Sequence, residues 1–178
     1  VRWLFGYFYK ETKTEQTMRV LVCLDGTNGV QVSKATEILS AVQSLILGML
    51  YVTDSGPRRD IEHTRERFLR RLGPPRARVD EMEQAELAAA QDVLNEGLRY
   101  LPNAETFQRQ GRPEREIVNF AAEWQADLVV ICPRGEYGAK PTIGPRSVGH
   151  VARFVLDHAP CPVLLVRQLA PEQFPIAR

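Results

Sequence analysis

Three separated stretches of this sequence carry residue types that could do chemistry together. Asp25-Gly26-Thr27 follows the apolar run Arg19 to Leu24, Val52 closes a second apolar run, and Cys132-Pro133-Arg134-Gly135 follows a third. The loop that begins there is punctuated by Gly138, Gly144 and Gly149 and ends at His150. A carboxylate such as Asp25 accepts hydrogen bonds from a sugar hydroxyl, backbone at a strand end can pair with a base edge, and amides from Gly135 to His150 can meet phosphates at a helix start. The set is nucleotide-shaped. Each member also has a plainer reading: Asp25 as a turn residue or N-cap, Arg134, Lys140 and Arg146 as solvated charges, and His150 as a capping or surface histidine. A glycine-rich loop alone is weak support for a phosphate site, and no Ser or Cys nucleophile is paired with His150 in a recognisable motif.

The elements that must position these residues follow from periodicity. Arg19 to Leu24 reads as a buried strand ending in the turn Asp25 to Gly29. Ser33 then offers an N-cap to a helix with Ala35, Ile38, Leu39 and Val42 on its core face, and Leu45 to Val52 is a second strand. Arg58 to Leu72 reads as a short Arg-rich helix stopped by Gly73-Pro74-Pro75. From Val79 to Leu101 the pattern is a long helix with Met82, Leu87, Ala90, Leu94 and Leu98 on its buried side. Thr106 to Gln110 alternates as a strand, and Pro113 to Trp124 is a helix with proline in its first turn and Ile117, Phe120, Ala121 and Trp124 facing inward. Leu128 to Cys132 is a strand, Val148 to His158 a helix with Val151, Val155 and Ala159 inward, and Val163 to Val166 the last strand. Strands alternating with helices imply a parallel sheet covered on both faces, because a parallel crossover needs a helix. Ligands of such sheets bind beyond the carboxyl ends of the strands, which is where Asp25, Val52 and Cys132 lie.

Composition narrows the function classes. At 178 residues the chain suits one domain with a sizeable core, and its formal net charge of +1 gives no global field for nucleic acid or an acidic membrane. The eight arginines between Arg58 and Arg78 read as a solvated face partly neutralised by Asp60, Glu62 and Glu66, with an acidic or phosphate-rich partner as the other reading. Cys23, Cys132 and Cys161 are widely separated and lie in or beside apolar runs, which suggests reduced, mostly buried thiols in a cytoplasmic protein and no metal site. His63 and His158 are isolated and suggest neither metal nor catalysis. No apolar run approaches the roughly 20 residues that span a bilayer, so no membrane partner is expected. The aromatic cluster Trp3 to Tyr9 lacks the flanks of a signal peptide. With Met18 directly before the first strand, residues 1–17 read as an extension upstream of the natural start or a loosely packed tail. The domain is then 18–168, and 169–178 a second tail.

The opening strand with Asp25-Gly26-Thr27, the turn Gly111-Arg112-Pro113 before a helix, the run Ala126 to Ile131, and above all His158-Ala159-Pro160-Cys161-Pro162-Val163-Leu164-Leu165-Val166 resemble the universal stress protein family. The resemblance covers Met18 to Arg167. It implies an open doubly wound five-stranded sheet, order 3-2-1-4-5, of the Rossmann-like, adenine nucleotide alpha hydrolase-like kind, and a stress-response role. It also implies a homodimer that pairs the last strand, Val163, Leu164, Leu165 and Val166, with its twin, and some members bind ATP. By that resemblance Asp25 and Val52 fall on the ribose and adenine positions and Gly135 and Gly149 on two of the loop glycines; with Gly26, Thr27, Arg134, Gly138 and His150 they make up the candidate nucleotide-binding residues, for ATP with Mg²⁺. The departures are concrete: Cys132 stands where the family's loop has its first glycine, Pro133 removes an amide donor, and His150 replaces a Ser or Thr. Gly135 and Gly138 form a Gly-x-x-Gly of their own, but the count from there to Gly149 is off by one. Arg134, Lys140 or Arg146 could replace lost amide contacts with charge. Two functions stay open: a dimeric stress-response protein with an adenine-nucleotide site, and a nucleotide-free dimeric module that binds another protein. An adenylylating enzyme is disfavoured, because no Ser-Gly-Gly loop follows the first strand and no His-x-x-His is present, so no catalytic residue is assigned and no catalysis beyond slow ATP hydrolysis is expected.

Overall fold

The computed structural model describes residues 17–41, 44–54, 76–133 and 148–167, with side chains of the third stretch described from residue 84 on. Five strands, β1 (Met18–Leu24), β2 (Leu45–Asp54), β3 (Glu105–Gly111), β4 (Leu128–Ile131) and β5 (Val163–Leu165), form one parallel sheet in the order β3-β2-β1-β4-β5. Four helices among the described residues, α1 (Gly29–Ser40), α2 (Arg76–Tyr100), α3 (Pro113–Glu123) and α4 (His150–His158), alternate with the strands. The expected sheet and its order are therefore present. The Arg58 to Leu72 helix, the Trp3 to Tyr9 cluster, Val42, His63, and the side chains of Arg76, Arg78 and Met82 lie outside the described residues.

The strands' period of two sorts their side chains onto two faces. Leu21, Cys23, Leu50, Val129 and Ile131 pack with Ile117, Phe120, Trp124 and Val155 of the α3 and α4 side. Val20, Val22, Leu24, Met49 and Val130 pack with Val32, Leu94 and Leu101 on the α1 and α2 side. Val20, Leu21 and Val22 are all fully buried, as a central parallel strand covered on both faces must be. Burying each such side chain contributes about 1.5–3 kcal/mol, so β1 is the strongest single anchor of the fold. An aromatic cluster closes the α3 side: the Phe107 and Phe120 rings are 4.7 Å apart, and Phe107 meets Trp124 edge-on at 5.9 Å. Arg19 lies 4.3 Å over the Trp124 ring and donates Nε to its carbonyl.

Three local expectations are corrected. α1 begins at Gly29, not after Ser33, because Asn28 already stands in the cap position. Ile38 is 72% exposed: the buried stripe of α1 is Val32, Ala35 and Thr36, and Ile38 falls on the other side of the helix. Leu87 is exposed too, since burial in α2 begins at Ala90. A helix of 25 residues is about 37 Å long while the 7-residue β1 is about 23 Å, so the N-terminal turns of α2 overhang the sheet.

Candidate ligand site

The order of the strands reverses between β1 and β4, and a cleft of about 780 Å³ opens there beyond the carboxyl ends of β1, β2 and β4. Asp25, Thr27, Val52, Cys132, Gly149 and His150 all line it. Gly26 does not; it lines a small void of about 40 Å³ behind the loop. Arg134, Gly135 and Gly138, with Lys140, Gly144 and Arg146, lie outside the described residues.

Asp25 works in two directions. Its Oδ1 accepts the Thr27 backbone N–H at 2.8 Å and the Thr27 hydroxyl at 2.9 Å, an arrangement that the positive φ of Gly26 (89°) permits. Oδ2 has no hydrogen-bond partner among the described residues, and Asp25 lines the cleft. On the opposite wall, β1 pairs with β2 only as far as Leu24 and Tyr51, while β2 pairs with β3 as far as Asp54 and Gly111. The β1–β2 ladder therefore ends just before Val52, where β2 runs on alongside the cleft.

Three helices start around this cleft. Asn28, Pro113, and Gly149 with His150 all line it, and none of the N-termini of α1, α3 and α4 is capped by a side-chain hydrogen bond. Each start carries roughly half a positive charge from its aligned peptide dipoles. Glu114 and Glu116 oppose that charge in the first turn of α3, but α1 and α4 have no acidic residue there. Gly149 (φ 79°, ψ 160°) leads into α4 in a conformation suited to glycine, and the exposed His150 imidazole sits with Nε2 3.9 Å from Glu114 Oε2. These uncapped amides suit an anion.

Cys132 is half-buried, lines the cleft, and packs against the apolar cluster on the α1 and α2 side. Burial pushes its thiol up to about 11; a hydrogen bond from Asn28 works against the shift and the Asp25 charge adds to it. Burial also raises Cys23, helped by Cys132 and Cys161, and raises Cys161, helped by Asp127. All three are free thiols, one buried and two half-buried, and none is poised as a nucleophile near neutral pH. Among the described residues, no group of three or more His, Cys, Asp or Glu side chains could hold a metal, and no helix is long and apolar enough to cross a membrane.

The residue that sequence reasoning missed is Asn28. It is 4% exposed, donates Nδ2 to the Cys23 carbonyl at 2.9 Å, and accepts the Asp25 N–H on Oδ1 at 3.1 Å. Its only local signal is its place three residues after Asp25 in a turn, which an ordinary turn asparagine shares.

Fold and cleft together define a doubly wound parallel α/β protein with an open cleft at its switch point. The model of the universal stress protein family matches residues 17–167, and the chain belongs to that family. It is 37% identical over 86 residues to a universal stress protein in the QAH/OAS sulfhydrylase 3′ region of Thermus aquaticus, a match covering 48% of this chain and 58% of that relative. Among solved structures, the universal stress protein UspA from Lactobacillus plantarum superposes with a TM-score of 0.60 at 25% identity, covering 84% of this chain and 97% of that one. A universal stress protein family protein from Arabidopsis thaliana with AMP bound shares the fold at 16% identity, with a TM-score of 0.51 and coverage of 89% and 97%.

Proposed function

We propose that the cleft binds an adenine nucleotide, and that the protein is a stress-response regulator whose partner surface changes with that ligand. The observation that carries this reading is the convergence of the Asp25 carboxylate, Val52 near the end of β2 and the uncapped start of α4 on one cleft. Asp25 Oδ2 would accept a ribose hydroxyl, backbone at Val52 would meet the adenine edge, and the amides at Gly149 and His150 would meet phosphate. The Arabidopsis relative's AMP makes the same ligand class the natural one to test. ATP is the fuller form of the ligand, and Mg²⁺ would arrive with its phosphates, since the described residues offer no cluster of their own for a metal. Slow hydrolysis is the most that this residue set supports. A loop of 134–147 bearing Arg134, Gly135, Gly138, Lys140 and Arg146 would complete the phosphate contacts.

Among the described residues β5 is paired on one side only, with β4, and its residues Val163, Leu164 and Leu165 are half-buried in a single chain. An apolar strand with one open edge favours pairing with its twin, so the protein is a homodimer joined through this strand and Val166. A cytoplasmic location and a core domain of 18–168 flanked by two tails complete the proposal.

Calorimetry with AMP, and with ATP and Mg²⁺, tests the ligand. Heat that is lost in Asp25→Ala supports the site, whereas no heat or thermal shift at millimolar nucleotide refutes it in favour of a nucleotide-free module that binds another protein. Cys132 and Pro133 at the end of β4 are what favour that second reading, because one adds a side chain and the other lacks an amide donor.

A further inference from the structure

The β1–β4 ladder ends at Val22 and Val130, although β1 runs on to Leu24 and β4 to Ile131. In a parallel pair, alternate residues turn both their N–H and C=O toward the same neighbour. Arg19 turns toward β4, since its carbonyl accepts the Asp127 N–H and its own N–H reaches the Asp127 carboxylate. Leu21, Cys23 and Asp25 therefore turn the same way. Continued in register, Leu24 would stand opposite Cys132, the Cys23 carbonyl would accept from the Cys132 N–H, and the Asp25 N–H would donate to the Cys132 carbonyl. Those two β1 groups are the ones that Asn28 takes: Nδ2 donates to the Cys23 carbonyl and Oδ1 accepts the Asp25 N–H. A side-chain carboxamide carries a donor and an acceptor, and here they take the places of the Cys132 N–H and C=O, which belong to two successive peptide groups.

We propose that Asn28 is a positioning residue for the ligand cleft: its carboxamide stands in for the Cys132 N–H and C=O in the sheet, so β4 is free to diverge and Asp25 is held by its backbone at the mouth. The inference rests on the nucleotide reading for its functional half and on the hydrogen bonds alone for its structural half. Asn28 and Cys132 line the same cleft, at the point where the two strands part. The Asn28 side chain makes the Cys23 and Asp25 bonds and no cap to its own helix. Burial makes the substitution exacting. With Asn28 4% exposed, removing the amide leaves the Cys23 carbonyl and the Asp25 N–H without partners.

The test is a double-mutant cycle read by AMP calorimetry on the full chain: wild type, Asn28→Ala, Asp25→Ala and the double variant. Leu94→Ala, a buried site on α2, serves as a control for lost stability. If Asn28 acts through Asp25, Asn28→Ala weakens AMP about tenfold or more in the wild-type background and less than about twofold in the Asp25→Ala background. Equal losses in both backgrounds, or an equal loss in Leu94→Ala, overturn the positioning role. Amide exchange at Asp25 reads the structural half without ligand: Asn28→Ala should speed it about tenfold beyond the Leu94→Ala control, and unchanged exchange overturns the peptide-replacement geometry. If wild type shows no AMP heat, the nucleotide reading and the positioning role fall together, and exchange at Asp25 still decides whether Asn28 holds the strands apart. Asn28→Asp keeps the acceptor for Asp25 but sets a carboxylate oxygen against the Cys23 carbonyl. It should therefore also speed exchange at Asp25, and its failure to do so counts against the geometry even if Asn28→Ala does not fold.

Discussion

Asp25→Asn separates the two tasks that Asp25 performs. In the wild type, Oδ1 holds the turn through Thr27 N–H and Oγ1, at 2.8 and 2.9 Å, which leaves Oδ2 for the ligand proposed for the cleft that Asp25 lines. Asparagine keeps a carbonyl oxygen for Thr27, so the turn survives and the urea midpoint should move little. What is lost is the charge and one acceptor toward the ribose. A hydrogen bond to a charged group contributes about 1.5–3 kcal/mol, and the exposure of Asp25 argues for the lower end. At 1.4 kcal/mol per factor of ten, AMP should bind roughly ten- to thirtyfold more weakly to Asp25→Asn. Asp25→Ala should lose as much affinity and, with the Thr27 bonds gone, about 1 kcal/mol of stability as well. Calorimetry and urea unfolding on the two variants give the four numbers. Binding of AMP to Asp25→Asn within twofold of wild type would refute the assignment of Oδ2 to the ligand. A second readout needs no nucleotide. Asp25 helps to hold the Cys132 thiol up, so Asp25→Asn should speed alkylation of Cys132 at alkaline pH.

Other predictions follow from the same contacts. All three thiols are raised in the folded protein, so their contribution is complete below the unfolded thiol range near pH 9 and is lost as pH rises through the folded values; Cys132, at about 11, accounts for on the order of 1–2 kcal/mol after allowing for its partial exposure. Urea midpoints that stay flat from pH 8 to pH 10.5 would contradict this. Gln125 is exposed and holds a φ of 54° after α3, so Gln125→Gly should raise stability by about 1 kcal/mol in urea unfolding. In β5, Val166 donates its N–H to β4 and Pro162 offers its carbonyl there, so Val163 and Leu165 turn outward. Leu165→Pro removes an N–H from the open edge alone and should give a monomer by sedimentation at micromolar protein, whereas a dimer that persists would place the interface elsewhere.

Some of this protein was legible in its sequence because the signals are local. The apolar runs that become β1 and β4 are buried on both faces, which leaves little room for another reading of Val20 to Leu24 or Val129 to Ile131. Pro113 opens α3 and the Asp25-Gly26-Thr27 turn closes β1 by chemistry contained in a few adjacent residues. The strand order came through the family resemblance, since periodicity does not say which strands are neighbours. Ile38 and Leu87 were misread for a related reason: helical spacing marks an apolar residue, but where the stripe falls and how far the sheet extends beneath it are set by packing. The site divides in the same way. Sequence alone determined which residues sit at strand ends, and so that Asp25, Val52 and Cys132 could meet. Only the tertiary structure decided that three uncapped helix starts surround them, and that a turn asparagine fills the gap where β1 and β4 part. A hydrogen bond between a loop side chain and a strand end exists only once two distant strands have taken their register, and no local pattern encodes that register.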